Sequence, residues 1–202
     1  MIVIGVPTTG SIPIEVVGSI DAVLLSHPRG EIVPYYMKGS LVYDARCRIF
    51  NYALKNNADL LFLDSDIEFP PEALDILLRH NTDIVSGLYY GRVPGSQPIA
   101  YKTIIPKTLF HKDKIETIDI ESIHDHYFSV AGTGLGFCLI RNNVLRAFKK
   151  NQNPFEPFGN LGEDFSFFVR CRKLGFKCML DTTFELKHIG DYKYSRKDYK
   201  KE

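Results

Sequence analysis

The stretch Leu60-Leu61-Phe62-Leu63-Asp64-Ser65-Asp66 decides the fold. Its four apolar residues show no polar alternation, which is the pattern of a strand buried on both faces of a sheet. Two acids follow at once. In open α/β sheets the ligand crevice lies beyond the carboxyl ends of the strands, so these acids stand where a ligand would bind. In extended chain a spacing of two places both carboxylates on one face, converging on a point where Mg²⁺ or Mn²⁺ takes oxygen ligands. Asp in such a place also suits a turn, or a helix cap ahead of Pro70-Pro71-Glu72. The preceding strand and the α/β alternation of the chain favour the first reading.

On the amino side, Ile2-Val3-Ile4-Gly5-Val6 reads as a buried strand ended by Pro7-Thr8-Thr9-Gly10. Ile12, Val16, Ile20, Val23 and Leu24 have helical spacing, Glu31 to Met37 looks extended, and Val42, Ala45, Ile49 and Ala53 repeat the helical pattern over 41–56. On the carboxyl side, Pro70 and Pro71 open a helix through Leu78, and 83–89 returns to strand character. Residues 95–128 change to short extended pieces, expected as an antiparallel insertion or a loop over the sheet. Phe128 to Arg141 is strand-like with three glycines, 142–150 and 162–174 are helical, and 177–180 closes as a strand. This order predicts a mostly parallel central sheet flanked by helices, with a small antiparallel element. One domain over 1–190 and a basic, Tyr-rich tail over 191–202 are expected. The tail's Lys193, Arg196, Lys197, Lys200 and Lys201 suit an anionic membrane surface or a partner, or a solvated end.

Composition narrows the function. The 202 residues, 45% hydrophobic, suffice for one core. Lys plus Arg is 25 against 24 for Asp plus Glu, so no whole-protein field gathers nucleic acid. No apolar run approaches the roughly 18 residues that cross a bilayer, and a cytoplasmic location is expected. Cys47, Cys138, Cys171 and Cys178 form no CxxC pair, which speaks against zinc or a disulfide framework. His124-Asp125-His126 lacks an evident third ligand for zinc.

Six short motifs then fall in one order: Pro7-Thr8 after the first strand, Ala45-Arg46, Asp64-Ser65-Asp66, Gly132-Thr133-Gly134, Gly162-Glu163-Asp164 and His188-Ile189-Gly190. Together they resemble the GT-A glycosyltransferases, particularly family 2-like inverting members, over residues 2–190. The resemblance implies a single Rossmann-like GT-A domain and a nucleoside-diphosphate sugar as donor. It implies Mn²⁺ or Mg²⁺ held by Asp66 and completed by His188, with Asp64 reaching the ribose or a metal-bound water. Pro7, Thr8 and Gly10 would shape the base pocket, and Ser65 would lie with the nucleotide between the two acids. Gly132, Thr133 and Gly134 would sit beside the donor sugar and the acceptor. Asp164, with Glu163 beside it, would take the proton from the acceptor hydroxyl.

Each of these assignments has a plainer counterpart. Arg46 either reaches the diphosphate or braces the acid pair, since a guanidinium matches both; Arg48 reads as the partner of Asp44 on a solvated helix face. The glycines of 132–136 equally mark a bulge, and Glu163 and Asp164 equally cap a helix. Tyr89, Tyr90 and Arg92, past another strand end, line the sugar pocket or, for a tyrosine, pack the core. Two rivals remain. A sugar-phosphate nucleotidyltransferase is disfavoured because residues 7–14 hold no Lys or Arg. A non-catalytic nucleotide-sugar or carbohydrate module is disfavoured by the joint presence of both acid motifs and the late histidine. The acceptor, whether glycan, lipid or protein, is not legible.

Overall fold

A computed structural model describes residues 1–93, 95–107, 112, 114–149, 152–190 and 193–194. In chain order the elements are β1 (Ile2–Thr8), α1 (Ile14–Ser26), β2 (Ile32–Lys38), α2 (Val42–Lys55), β3 (Asp59–Leu63), β4 (Ile67–Glu68), α3 (Ala73–Arg79) and β5 (Ile84–Gly87). There follow β6 (Ala100–Ile105), β7 (Lys114–Thr117), β8 (Tyr127–Val130), β9 (Gly132–Thr133), β10 (Phe137–Ile140), α4 (Asn142–Ala147), α5 (Glu163–Lys173), β11 (Cys178–Asp181), β12 (Lys187–Ile189) and β13 (Lys193–Tyr194).

The central sheet has seven strands in the order β2-β1-β3-β10-β5-β11-β8. Its β2, β1, β3, β5 and β11 are mutually parallel, whereas β10 and β8 run against their neighbours. β1 and β3 are interior, which explains their unbroken apolar runs: alternate residues feed opposite faces. Leu60 and Phe62 join Ile49 and Phe50 of α2, Val144 of α4 and Phe167 of α5 on one side. Leu61 and Leu63 join Val16 and Ile20 of α1 and Leu74 of α3 on the other. Gly5 permits α2 to lie close on β1, because a Cβ there would stand 2.1 Å from Ile49 Cγ2. The chain is thus a Rossmann-like α/β domain, as the alternation predicts.

Three features refine the expectation. The 128–141 stretch holds three strands, β8, β9 and β10, interrupted at Ala131 and again over 134–136. Among the described residues of 95–128, β6 and β7 form an antiparallel pair that β9 joins, and Arg172 of α5 donates to the carbonyls of Ala131 and Ile104 at its base. A second three-stranded sheet, β13-β12-β4, was not foreseen. It includes Lys193 and Tyr194, so the tail drawn from 191 begins beside His188; its remaining residues lie outside those described. All four cysteines are free, three of them buried, and no helix among the described residues is long and apolar enough to cross a membrane.

Candidate active site

After β1 the chain goes to β2 on one side and then to β3 on the other. That reversal opens a crevice at the carboxyl ends of β1 and β3, the place where open α/β sheets bind ligands. A cleft of about 300 Å³ occupies it. Pro7, Thr8 and Thr9 form one wall, Gly39, Ser40, Val42 and Ala45 another, and Arg46, Asp64, Ser65, Asp66, Arg92 and Glu163 the charged floor and rim. Gly10 stands just outside, in a left-handed conformation (φ 138°) beside the Lys38 side chain. Thr8 shapes this loop: its hydroxyl donates to the Ser11 carbonyl and accepts from the Gly10 amide.

The two acids of Asp64-Ser65-Asp66 part company. The segment is a turn, closed by the Ile67 amide on the Asp64 carbonyl at 3.2 Å, so the one-face geometry of extended chain does not apply. Asp64 turns inward to Arg46, whose Nη2 donates to Oδ1 at 2.8 Å. Asp66 turns to the opposite rim, where Arg92 Nη2 lies 2.6 Å from Oδ2 and His188 Nε2 3.4 Å from Oδ1. The expectation that Asp64 and Asp66 converge on one cation is corrected accordingly. Among the described residues no three His, Cys, Asp or Glu side chains form a metal-ligating group.

Asp66 and His188 do meet. The β12–β4 pairing sets His188 opposite Ile67, and the Ile189 amide donates to the Asp66 carbonyl at 2.7 Å. His188 Nδ1 donates to the Tyr90 carbonyl at 2.8 Å, which leaves the Nε2 lone pair facing the cleft; there it accepts from Arg92 Nε at 2.9 Å. An imidazole whose far nitrogen is fixed by a carbonyl, set against a carboxylate, fits a divalent cation as two of its ligands.

Arg46 is the buried centre of the site, only 4% exposed. It sits 5.3 Å over the Phe62 ring, donates to Asp64 and, at 3.4 Å, to the Leu135 carbonyl, and lies with Nε 3.5 Å from Glu163 Oε1. Of its two readings the bracing role is the one the contacts express. Burial works against its charge, but Asp64 and Glu163 more than restore it. Arg48 forms the solvated pair with Asp44 at 2.9 Å.

At the start of α5, Glu163 enters the cleft and Asp164 turns beneath it, accepting from the Phe165 amide at 2.7 Å. Burial, then Glu163, raise the Asp164 pKa to about 6, against the pull of the Phe165 amide and Arg46, with Asp64 adding to the rise. A helix N-terminus alone would lower it, so burial among carboxylates decides the sign. Tyr89 and Tyr101 both sense this carboxylate and are raised, first by their own burial.

Gly132, Thr133 and Gly134 do not reach the cleft. Thr133 is fully buried, its hydroxyl on the Gly134 carbonyl. A Cβ on Gly132 would press on Phe168, and one on Gly134 would lie 1.9 Å from the Tyr89 hydroxyl. Gly134 makes room for Tyr89, whose hydroxyl accepts from the Gly136 amide at 3.1 Å. Of the three candidates after β5, Tyr89 and Tyr90 are core and Arg92 is at the cleft. Sequence reasoning missed Gly39 and Ser40, which the rule of strand carboxyl ends, applied to β2, would have found.

No protein-family model matches this chain, and no curated protein matches it. Among solved structures, A197 from STIV superposes with a TM-score of 0.63 at 20% identity, over 94% of this chain and 86% of that one. This likeness concerns the fold. The inositol-1-phosphate CTP transferase from T. maritima gives a TM-score of 0.49 at 13% identity, over 98% of this chain and 91% of that one. GalNAc-T7, crystallised with UDP, GalNAc and Mn²⁺, gives 0.48 at 10% identity, over 96% of this chain and 38% of that one.

Proposed function

We propose that the chain is a metal-dependent glycosyltransferase that moves a monosaccharide from a nucleoside-diphosphate sugar to an acceptor hydroxyl with inversion, acting in the cytoplasm. One observation supports this above the rest. A single cleft at the carboxyl ends of β1 and β3 is lined by Asp64, Asp66 and Glu163, and a carboxyl group with pKa raised to about 6 stands next in sequence at Asp164. Carboxylates lining one cleft suit the cation that accompanies a diphosphate, and a weakly acidic carboxyl suits proton transfer near neutral pH.

Asp66 and His188 would hold the cation. Bound there, a divalent ion supplies Lewis-acid stabilisation of the charge that builds on the departing diphosphate. Thr8 and the loop after β1 would receive the base and ribose, and Asp64, locked by Arg46, would accept a hydroxyl of the ribose. Asp164 would take the acceptor's proton as its oxygen attacks the anomeric carbon; Glu163 keeps that carboxyl basic and is itself neutralised by Arg46. The tail beyond 190 is proposed to contribute an acceptor or membrane contact.

Incubation with a panel of nucleotide-sugars and candidate acceptors, with Mn²⁺ or with chelator, tests the reading. Expected is release of nucleoside diphosphate that needs Mn²⁺ and is abolished in Asp66→Ala, together with a product of inverted anomeric configuration. Release of pyrophosphate from a nucleoside triphosphate and a sugar phosphate would instead establish a nucleotidyltransferase. Binding without turnover of any donor would establish a binding module.

A further inference from the structure

We propose that Arg92 is a built-in occupant of the cation position: its guanidinium fills the gap between Asp66 and His188, and a metal ion enters only by expelling it. The proposal rests on the reading of Asp66 and His188 as metal ligands.

The argument begins with atoms that cannot serve two partners. His188 Nδ1 is committed to the Tyr90 carbonyl at 2.8 Å, so Nε2 has the ring's one lone pair. That lone pair now accepts from Arg92 Nε at 2.9 Å, and a nitrogen lone pair holds either an N–H or a metal ion. The same guanidinium reaches Asp66 Oδ2 through Nη2 at 2.6 Å. One side chain thus covers both donors that a cation would need. Charge gives the same answer. Asp66 balances Arg92 alone, whereas a divalent ion added beside Arg92 would set three positive charges against one carboxylate and a neutral imidazole.

The loop bearing Arg92 is built so that the side chain can leave. Tyr90 bridges Pro98 at its root, and Gly91 and Gly95 (φ 78°) lie on either side of the tip. At the tip the Ser96 amide and hydroxyl donate to the Val93 carbonyl at 3.0 and 2.7 Å. The Arg92 side chain is 59% exposed while Asp66 is 18% exposed. An ion pair whose cation already stands mostly in water is weak, so release costs little. Once released, the guanidinium remains at the cleft rim, where a diphosphate oxygen would receive it. Arg92 would then reject a bare cation and accept one that arrives with its diphosphate.

The test is direct Mn²⁺ binding to the full chain, with Mn²⁺ alone as the probe and free ion counted by electron paramagnetic resonance. Arg92→Met is expected to lower the Mn²⁺ Kd about 5-fold or more, because two contacts and one opposing charge are lost. Arg92→Lys, which retains the charge without the two-pronged reach, is expected to fall between Met and Arg, and supplies the test should Arg92→Met misfold. Asp66→Asn added to Arg92→Met is expected to erase the gain. If Mn²⁺ binds through Asp66 with equal or weaker affinity in Arg92→Met, the proposal is overturned and the metal reading stands. If no Asp66-dependent Mn²⁺ binding occurs in either protein, the metal reading falls and the proposal with it.

Discussion

An Asp–Arg pair stands at each end of β3, and the two are built to different ends. At the amino end, Arg141 Nη1 donates to Asp59 Oδ2 at 3.0 Å and the Asn142 amide to Oδ1 at 2.8 Å. Arg141 Nη2 goes on to the Leu78 and His80 carbonyls, which staples α3 to the sheet. At the carboxyl end, Arg46 satisfies Asp64 but leaves its Nε without a hydrogen-bond acceptor, although it is buried. Glu163 stands within ion-pair reach, and the cleft opens alongside. An orphaned buried donor is a cost that stable packing tends to remove. The same two residue types thus make a finished joint at one end of a strand and an arrangement with spare capacity at the other, and the spare capacity marks the site.

The largest effect should come from the carboxyl end. Asp164→Asn is expected to lower sugar transfer about 10²- to 10⁴-fold with donor and Mn²⁺ binding retained, the loss typical of a positioned base. Its stability should move the other way. A carboxyl whose folded pKa is raised contributes stability that is full below its unfolded pKa of about 3.9 and is lost as pH rises through about 6. Glu163 and Asp64 face it unfavourably, Arg46 favourably, and Tyr89 and Tyr101 border it. At pH 7 the Asn variant should therefore be more stable than the parent by about 1–2 kcal/mol after allowance for solvent. The gap should close near pH 4 in thermal melts. A variant that loses stability at pH 7 would return Asp164 to helix capping.

Next come the two arginines. Arg46→Met deprives Asp64 and Glu163 of the counterion they share, and a loss of about 3 kcal/mol is expected, in the range for one partner removed from a buried pair. Nucleoside diphosphate binding should fall too, since Asp64 is no longer fixed. Arg141→Met leaves Asp59 with the Asn142 amide and partial exposure, at a cost of about 2 kcal/mol, and should leave ligand binding untouched. Equal effects of the two variants on ligand binding, read by calorimetry beside denaturant unfolding, would erase the distinction between joint and site.

What was legible in the sequence follows the same division. The apolar runs of β1 and β3 and the helical spacing of α1 and α2 are local patterns, and they came out as read. Asp64 did not, because its direction is set by Arg46, 18 positions away, and by a turn at Ser65 that no periodicity encodes. The motif Gly132-Thr133-Gly134 is packed inward for a related reason: Gly132 answers to Ile104 and Phe168 and Gly134 to Tyr89, partners distant in sequence. Arg92 reads from sequence as a lining of the sugar pocket, and its bridge between Asp66 and His188 is not legible there because it depends on β4 and β12, which pair Ile67 with His188. Pairings of that range are written in packing complementarity and not in any window of sequence.

The smallest effect belongs to a third pair, which sharpens the comparison by being neither joint nor site. Arg48 Nε lies 2.9 Å from Asp44 Oδ2 on the outer face of α2, with the two side chains 63% and 49% exposed. Both ions retain most of their water, so Coulomb attraction is screened and the entropy of two long side chains opposes it. An i,i+4 pair of this kind adds about 0.3–0.5 kcal/mol. The order Asp44 before Arg48 also agrees with the helix dipole, Asp44 lying in the first turn. Arg48→Ala should therefore change stability by less than about 0.5 kcal/mol, with Ala's helix propensity offsetting part of the lost pair. Salt should abolish even that difference, whereas the Arg46→Met loss should persist in about 1 M salt because the buried pair is poorly screened. Unfolding of both variants at low and high salt checks the gradation. An Arg48→Ala loss above about 1 kcal/mol that survives salt would mean that exposure does not rank these pairs, and that the orphaned nitrogen of Arg46 is a poor marker of function.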